Sequence, residues 1–332
     1  MPKHRRLSQA DIAGRLGISV STVSRALADG VGTSPAIRRD VQHLATTLGY
    51  RSKSLARDFA DRRVSAFVPL GGATSGLSGF YFGIVEGMRT AAAQAGFALD
   101  VRLINESAVS LELIQEHVRQ TKAGGLLLAG IDAGEDLAAW CVSEDLPVVL
   151  VNGTDPQMRI SSVAPANYYG ALQATRRLLD AGHRKIIHYT HSLRPTIEQR
   201  RRGFEAAIAA AGAEGQVISS HELRTADFAA RLVKGDYDAT ALFVWNDIAA
   251  VEILEAIGGA RAASGRAYAI VGFDDLPIAS LATPRLATMH VDREAIGAAA
   301  IRMLRLHVDG DRVVQQLEIA VTPVEGGTIF PI

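Results

Sequence analysis

The chain has 332 residues, 48% apolar and 21% charged, with 2 Trp, 7 Tyr and 10 Phe. That composition excludes a disordered protein, and at roughly 100–200 residues per domain it implies two or three domains. A single cysteine, Cys141, excludes an internal disulfide framework and a Cys-rich zinc site. No apolar run approaches the ~18–20 residues of a membrane helix, and the opening Met-Pro-Lys-His-Arg-Arg leads into no apolar signal core. The expectation is a soluble, cytoplasmic protein with no membrane partner. The net charge of zero conceals a division: residues 1–63 carry 12 Lys+Arg against 5 Asp, and the remaining 269 carry 23 against 30 acidic residues. A basic arm on an acidic body points to a polyanion as the arm's partner.

Ser8-Gln-Ala-Asp11 has the form of an N-terminal helix cap, with Asp11 where Glu or Gln is more usual. Ala10, Ile12, Ala13 and Leu16 follow at helical spacing, and Gly17 stops the run. Ser19 is placed to cap a second helix, Val20 to Leu27, whose inward stripe is Val23, Ala26 and Leu27. Its outward positions, Ser21, Thr22, Ser24 and Arg25, are short hydrogen-bonders and one forked cation. Ser34-Pro35 begins a third helix with a cap and a proline, and Gly49 ends it. Three short helices with a Gly turn and a polar, basic second helix describe a helix-turn-helix. A helical cap packed on the body would explain the apolar stripes but not the uncovered Ser/Thr/Arg face.

Ile12-Ala13, the run Leu16-Gly17-Ile18-Ser19-Val20-Ser21-Thr22-Val23-Ser24-Arg25-Ala26-Leu27, and Leu48-Gly49-Tyr50 resemble the DNA-binding headpiece of the LacI/GalR family of bacterial transcription regulators. The resemblance implies that Val20 and Ser21 point at base edges. It implies that Arg25 reads a guanine or holds a phosphate, while Ser19, Thr22, Ser24 and Tyr50 belong to the same DNA-contacting set. After Tyr50 the family usually has Pro-Asn and a short hinge helix that wedges a Leu into the minor groove. Here Ser52-Lys53 replaces Pro-Asn, Ala56-Arg57 fits the pattern, and Phe59 stands at the wedge position.

From Val64 onward short apolar runs alternate with longer amphipathic ones, an α/β pattern of parallel sheets covered on both faces. Strands are expected at 64–70, 99–104, 125–129, 148–151, 185–189, 216–220, 241–244, 267–273, 287–291 and 315–320. Helices are expected at 81–95, 111–121, 168–181, 198–211, 226–233, 247–257 and 293–308. So many elements suit two α/β lobes with ligand in the cleft at the carboxyl ends of the strands. The family resemblance continues to about Thr328. It implies a helix-turn-helix headpiece (1–51), a hinge (52–63) and a two-lobed periplasmic-binding-protein-like body (64–332). Lobe 1 would hold about 64–163 and 292–321, and lobe 2 about 164–291 and 322–332. The chain would cross between the lobes near 163, 291 and 321.

The family's cleft landmarks are Phe80-Tyr81, Arg200-x-x-Gly203-Phe204, Asn246-Asp247 and Gly272-Phe273-Asp274-Asp275. Their chemistry suits a polar small ligand: Arg200 offers forked donors, Asp274 accepts paired hydroxyls, and Asn152 and Asn246 both donate and accept. Phe80 or Tyr81 would give a flat face to a sugar ring, with Trp245 and Val291 nearby. Arg200 and Asp274 also stand at these positions in purine-binding relatives, and Asn246-Asp247 could equally cap a helix.

Gly71-Gly-Ala-Thr-Ser-Gly76 lacks the Lys of a phosphate-binding loop, and no Gly-x-Ser-x-Gly turn appears. His183, His188 and His191 fit no common metal spacing. The expectation is therefore no enzyme and no cofactor. The sequence reads as a homodimeric repressor of a pseudo-palindromic double-stranded operator, without a leucine heptad for further assembly. A sugar-like effector in the cleft would control it, with a purine co-repressor system or a solute-binding protein as alternatives.

Overall fold

The computed structural model describes residues 8–27, 33–47, 63–70, 79–105, 110–191, 194–264 and 267–332. Tyr50, Ala56, Phe59 and the 71–76 stretch lie outside them. The chain divides into two compact units, Met1–Arg62 and Arg63–Ile332.

The first unit is built on three helices, α1 (Gln9–Leu16), α2 (Val20–Leu27) and α3 (Pro35–Thr47). Ser8 and Asp11 form a reciprocal capping box: the Ser8 amide donates to Asp11 Oδ2 at 2.7 Å and the Asp11 amide to Ser8 Oγ at 3.3 Å. Gly17 closes α1 in the left-handed conformation (φ 65°), which a Cβ would strain. Ser19 Oγ accepts from the Thr22 amide and caps α2. Ile12, Ala13, Val23, Ala26, Val41 and Ala45 are buried together and hold the three helices to one another.

The second unit begins with β1 (Arg63–Pro69), α4 (Phe80–Ala95), β2 (Ala98–Ile104), α5 (Leu111–Thr121), β3 (Gly125–Ala129), α6 (Glu135–Ser143), β4 (Val148–Val151) and β5 (Ser161–Pro165). It continues through α7 (Asn167–Asp180), β6 (Lys185–Thr190), α8 (Pro195–Ala211), β7 (Glu214–Ser219), α9 (Thr225–Lys234), β8 (Ala241–Val244) and α10 (Asp247–Ser264). The remaining elements are β9 (Ala269–Val271), α11 (Pro277–Leu281), β10 (Thr288–Val291), α12 (Arg293–Val308), β11 (Gln316–Ile319) and β12 (Val321–Val324).

Two parallel sheets result. The first has the order β11-β5-β4-β3-β1-β2 and the second β7-β6-β8-β9, while β10 and β12 form an antiparallel pair. Isolated bridges, Val271 to Ala287 and Asp274 to His290, attach that pair to the second sheet. Near-continuous apolar strands such as Gly125–Ala129 and Ala241–Val244 are buried throughout, as sheets covered on both faces require.

The chain passes between the sheets three times, each time through one residue: Ala166 between β5 and α7, Asp292 between β10 and α12, and Ala320 between β11 and β12. The first passage comes later than 163 because Ser161–Pro165 is a strand of the first sheet. That strand, β12, α6 and α11 are elements the apolar pattern does not announce. α10 runs past Ile257 through Gly258 to Ser264.

The closing segment has a structural role. The Ile270 amide donates to the Thr328 carbonyl (2.9 Å), Thr328 Oγ1 donates to the Ile270 carbonyl (2.7 Å), and the Ile332 amide donates to the Ala181 carbonyl (3.2 Å). His183 joins this network, with one ring nitrogen 3.0 Å from the Phe330 carbonyl and the other 2.9 Å from Thr240 Oγ1.

Candidate functional site

In the helical unit, α2 turns Val23 and Ala26 inward and leaves Val20, Ser21, Ser24 and Arg25 exposed. Val20 is 47% exposed, an apolar side chain with no core to join at the first position of the helix. Ser19 Oγ lies 2.8 Å from both Ser21 Oγ and Thr22 Oγ1, so three hydroxyls cluster at the helix start. Arg25 Nε reaches back to the Ser21 carbonyl at 3.4 Å, which keeps the guanidinium along the same face. The outcome is a compact patch of donors, acceptors and one methyl-rich side chain, the groups needed to meet phosphates and base edges.

In the larger unit, strand ends of the two sheets carry the other candidate residues. On the second sheet Arg200 is only 3% exposed, and each of its three nitrogens donates within the protein. Nε donates to Asn167 Oδ1 at 2.8 Å, Nη1 to the Trp245 carbonyl, and Nη2 to Asp274 Oδ1 at 3.1 Å. The guanidinium lies 3.7 Å from the centre of the Phe273 ring. Burial alone would lower its pKa; Asp274 opposes that effect. Asp274 holds φ 108°, a conformation that strains an L side chain and tends to persist where the surroundings over-determine it.

Asp247, fully buried, accepts from Thr288 Oγ1 at 2.5 Å and from the Leu276 amide at 2.7 Å. Burial, and then the neighbouring Asp274 charge, push its carboxyl well above the usual range. Sequence reading treated Asn246-Asp247 as one landmark. The structure separates them: Asn246 Oδ1 accepts from the Ala249 amide and caps α10, while Asp247 is an internal strut.

On the first sheet Tyr81 and Asn152 meet, with Asn152 Nδ2 donating to Tyr81 Oη at 3.1 Å. Asn152 holds φ 52° at the end of β4. Gly130 (φ 66°) follows β3, and a Cβ there would stand 2.4 Å from Tyr81 Oη, so the tyrosine fits only over a glycine. Tyr81 is 6% exposed, and Phe80 packs edge-on against it with centroids 5.2 Å apart. The two rings form a T-shaped pair, with Phe80 the less buried of the two. Val291 is almost fully buried at the end of β10.

Arg194 and Asp132 at these strand ends have no signal in the sequence, and His191 stands out there only as one of three histidines that fit no metal spacing. Arg194, just before α8, donates from Nε to Asp132 Oδ2 (3.1 Å), from Nη1 to Tyr81 Oη (3.3 Å) and from Nη2 to the Asn152 carbonyl (2.5 Å). Asp132 in turn accepts the Thr154 amide on Oδ1 at 2.9 Å. His191 stacks on Trp245 at 5.0 Å and 22°. These are loop positions without periodicity, so only the folded chain brings them together.

A periplasmic binding protein-like domain model matches residues 175–329. The chain is 27% identical over 324 residues to the HTH-type transcriptional regulator CelR of Thermobifida fusca, covering 94% of each chain. It is 26% identical over 327 residues to the ribose operon repressor of Escherichia coli K12, covering 95% of this chain and 96% of that one. Both alignments span helical unit and body alike. The chain is thus similar, along nearly its whole length, to regulators of the LacI/GalR family. Solved structures share its fold: a CelR–cellobiose complex superposes with a TM-score of 0.70 at 24% identity, covering 97% and 100% of the two chains. The lac repressor dimer bound to operator and an anti-inducer gives 0.68 at 19% identity, covering 98% and 100%. Among the described residues, no helix is long and apolar enough to cross a membrane.

Proposed function

We propose that the protein is a homodimeric repressor whose headpieces, residues 1–51 with the 52–63 hinge, read a pseudo-palindromic operator. A sugar-class effector in the cleft of the 64–332 body sets the affinity. The observation that carries this reading is the pairing, in one chain, of an uncovered Val20/Ser21/Ser24/Arg25 face with a two-sheet body whose strand ends hold Arg200, Asp274, Asn152 and Asn246. The relatives supply the ligand class, since CelR was solved with cellobiose and another relative is a ribose operon repressor.

Binding without turnover is part of this reading. Two Ser–His couples lie in the first sheet, Ser65 Oγ to His117 Nε2 and Ser161 Oγ to His307 Nε2, each at 2.8 Å. Both serines are buried, and the other ring nitrogens face Arg102 and the Asp311 carbonyl, so no carboxylate orients either histidine from behind. They act as sheet-to-helix ties.

The test is fluorescence anisotropy on an operator selected from random DNA, titrated with cellobiose, ribose, sugar phosphates and purines. The expected result is weaker operator binding with one sugar, lost in Asp274→Ala. Tightening by a purine alone would overturn the sugar assignment. Failure to select any operator would overturn the DNA-binding reading itself.

A further inference from the structure

The cleft is already bridged by the protein. Asp132, Tyr81 and Asn152 belong to the first sheet's side, following β3, opening α4 and ending β4; Arg194 belongs to the second sheet's side, opening α8. One guanidinium thus spends its three nitrogens on a carboxylate, a phenol oxygen and a backbone carbonyl of the opposite lobe. The arrangement is supported from behind on the lobe-1 side. The Thr154 amide fixes Asp132 Oδ1 and the Asn152 amide nitrogen fixes Tyr81 Oη. Arg194 and Asp132 retain 22% and 23% of their side-chain exposure, so the pair is shielded enough to be strong yet open enough to exchange. Arg293 of α12 also reaches across, to the Asp274 and Asp275 carbonyls, whereas Arg200 keeps to its own lobe, with Asn167, Trp245 and Asp274.

We propose that Arg194 is an interlobe latch, a tethered internal occupant that holds the two lobes together before any effector enters and that the effector must displace. This deepens the reading of the cleft as an effector site, and its bearing on operator binding rests on that reading. The latch also narrows the ligand chemistry. Every lobe-1 group it covers is a hydrogen-bond acceptor toward it, so the incoming molecule must bring donors. Vicinal hydroxyls can take over the Asp132 carboxylate, whereas an added anion would meet that carboxylate unpaired.

The experiment measures the lobe separation in the ligand-free full-length protein. Spin labels are placed at Asp136→Cys on α6 and Glu222→Cys between β7 and α9, both exposed and on opposite lobes. Cys141 is buried, with its thiol pushed up to about 12, and does not compete for label. The expected result is one narrow distance distribution in the parent. Arg194→Met should give a longer and broader one, and so should Asp132→Asn, which retains the Thr154 contact and guards against misfolding of the first variant. Distributions superimposable on the parent in both variants would overturn the latch. Operator affinity is measured on the same proteins without effector. A change of roughly fivefold or more in both variants ties the latch to regulation. Altered distances with unchanged operator affinity would uphold the latch and overturn the coupling of cleft to headpiece, so the two failures are told apart.

Discussion

The two faces of the cleft are built on different principles. The lobe-2 face is largely self-contained: Arg200, Asp274 and Asp247 are all buried, and their side-chain hydrogen bonds stay within that lobe and its attached strands, while Arg293 of α12 donates to the Asp274 carbonyl from the other lobe. The lobe-1 face is made of Tyr81, Asn152 and Asp132, and its polar groups are completed by Arg194 from across the gap. A buried charge cluster must be fully satisfied at home, because leaving one member unpaired costs more than the pair contributes. A face whose one carboxylate, Asp132, stays partly accessible is less constrained and can exchange one partner for another. Lobe 2 therefore supplies a fixed template, and lobe 1 supplies the exchangeable contacts.

Substitutions should separate the two faces. The largest effect is expected from Asp274→Ala, which strands the Arg200 guanidinium in the interior and should cost about 3–5 kcal/mol in chemical denaturation. A loss under 1 kcal/mol would show that lobe 2 is not the rigid template. Next comes His188, stacked 4.4 Å from Phe243 and completely buried, with its pKa pushed down to about 4 by burial. The unfolded chain takes up a proton near 6.5 that the folded chain refuses, so stability falls as pH drops from about 6.5 to 4. The loss amounts to about 3 kcal/mol. His188→Leu should flatten that part of the pH–stability curve; an unchanged slope would locate the acid sensitivity elsewhere.

Asp247 has the opposite sign. Its folded pKa lies above the unfolded one, so stability falls as pH rises from the ordinary carboxylate range toward that higher value. Asp247→Asn should remove this fall, and a variant parallel to the parent across that range would refute the assignment. The smallest effect belongs to lobe 1: Tyr81→Phe removes a hydroxyl that accepts from Asn152 and Arg194, for about 1 kcal/mol. A loss as large as that of Asp274→Ala would erase the distinction between the faces.

Sequence reading reached the fold because the strands that build it are continuous apolar runs, and the headpiece because its caps are spelled out by Ser8, Asp11, Gly17 and Ser19. It missed Ser161–Pro165 because the strand carries two serines, whose polarity is satisfied out of sight: Ser161 Oγ meets His307 Nε2 and accepts from the Gln315 amide. It missed α6 because the helix starts at Gly134 with no side-chain cap. It ended α10 early because Gly258-Gly259 looks like a stop, although an established helix tolerates glycine at about 1 kcal/mol. At the site, Arg200 and Asp274 were legible through a family motif. Arg194 and Asp132 are 62 positions apart on irregular segments, and nothing local marks either.

The three single-residue passages, at Ala166, Asp292 and Ala320, set a limit on how the body can deform. Each offers one pair of backbone dihedrals before regular structure resumes, and Asp292 is further tied down as the cap of α12 through the Ala295 amide. Three such short tethers, side by side, resist sliding and twisting far more than rotation about their common line. The body is left with essentially one mechanical degree of freedom, and an input anywhere in the cleft is read out as a single angle.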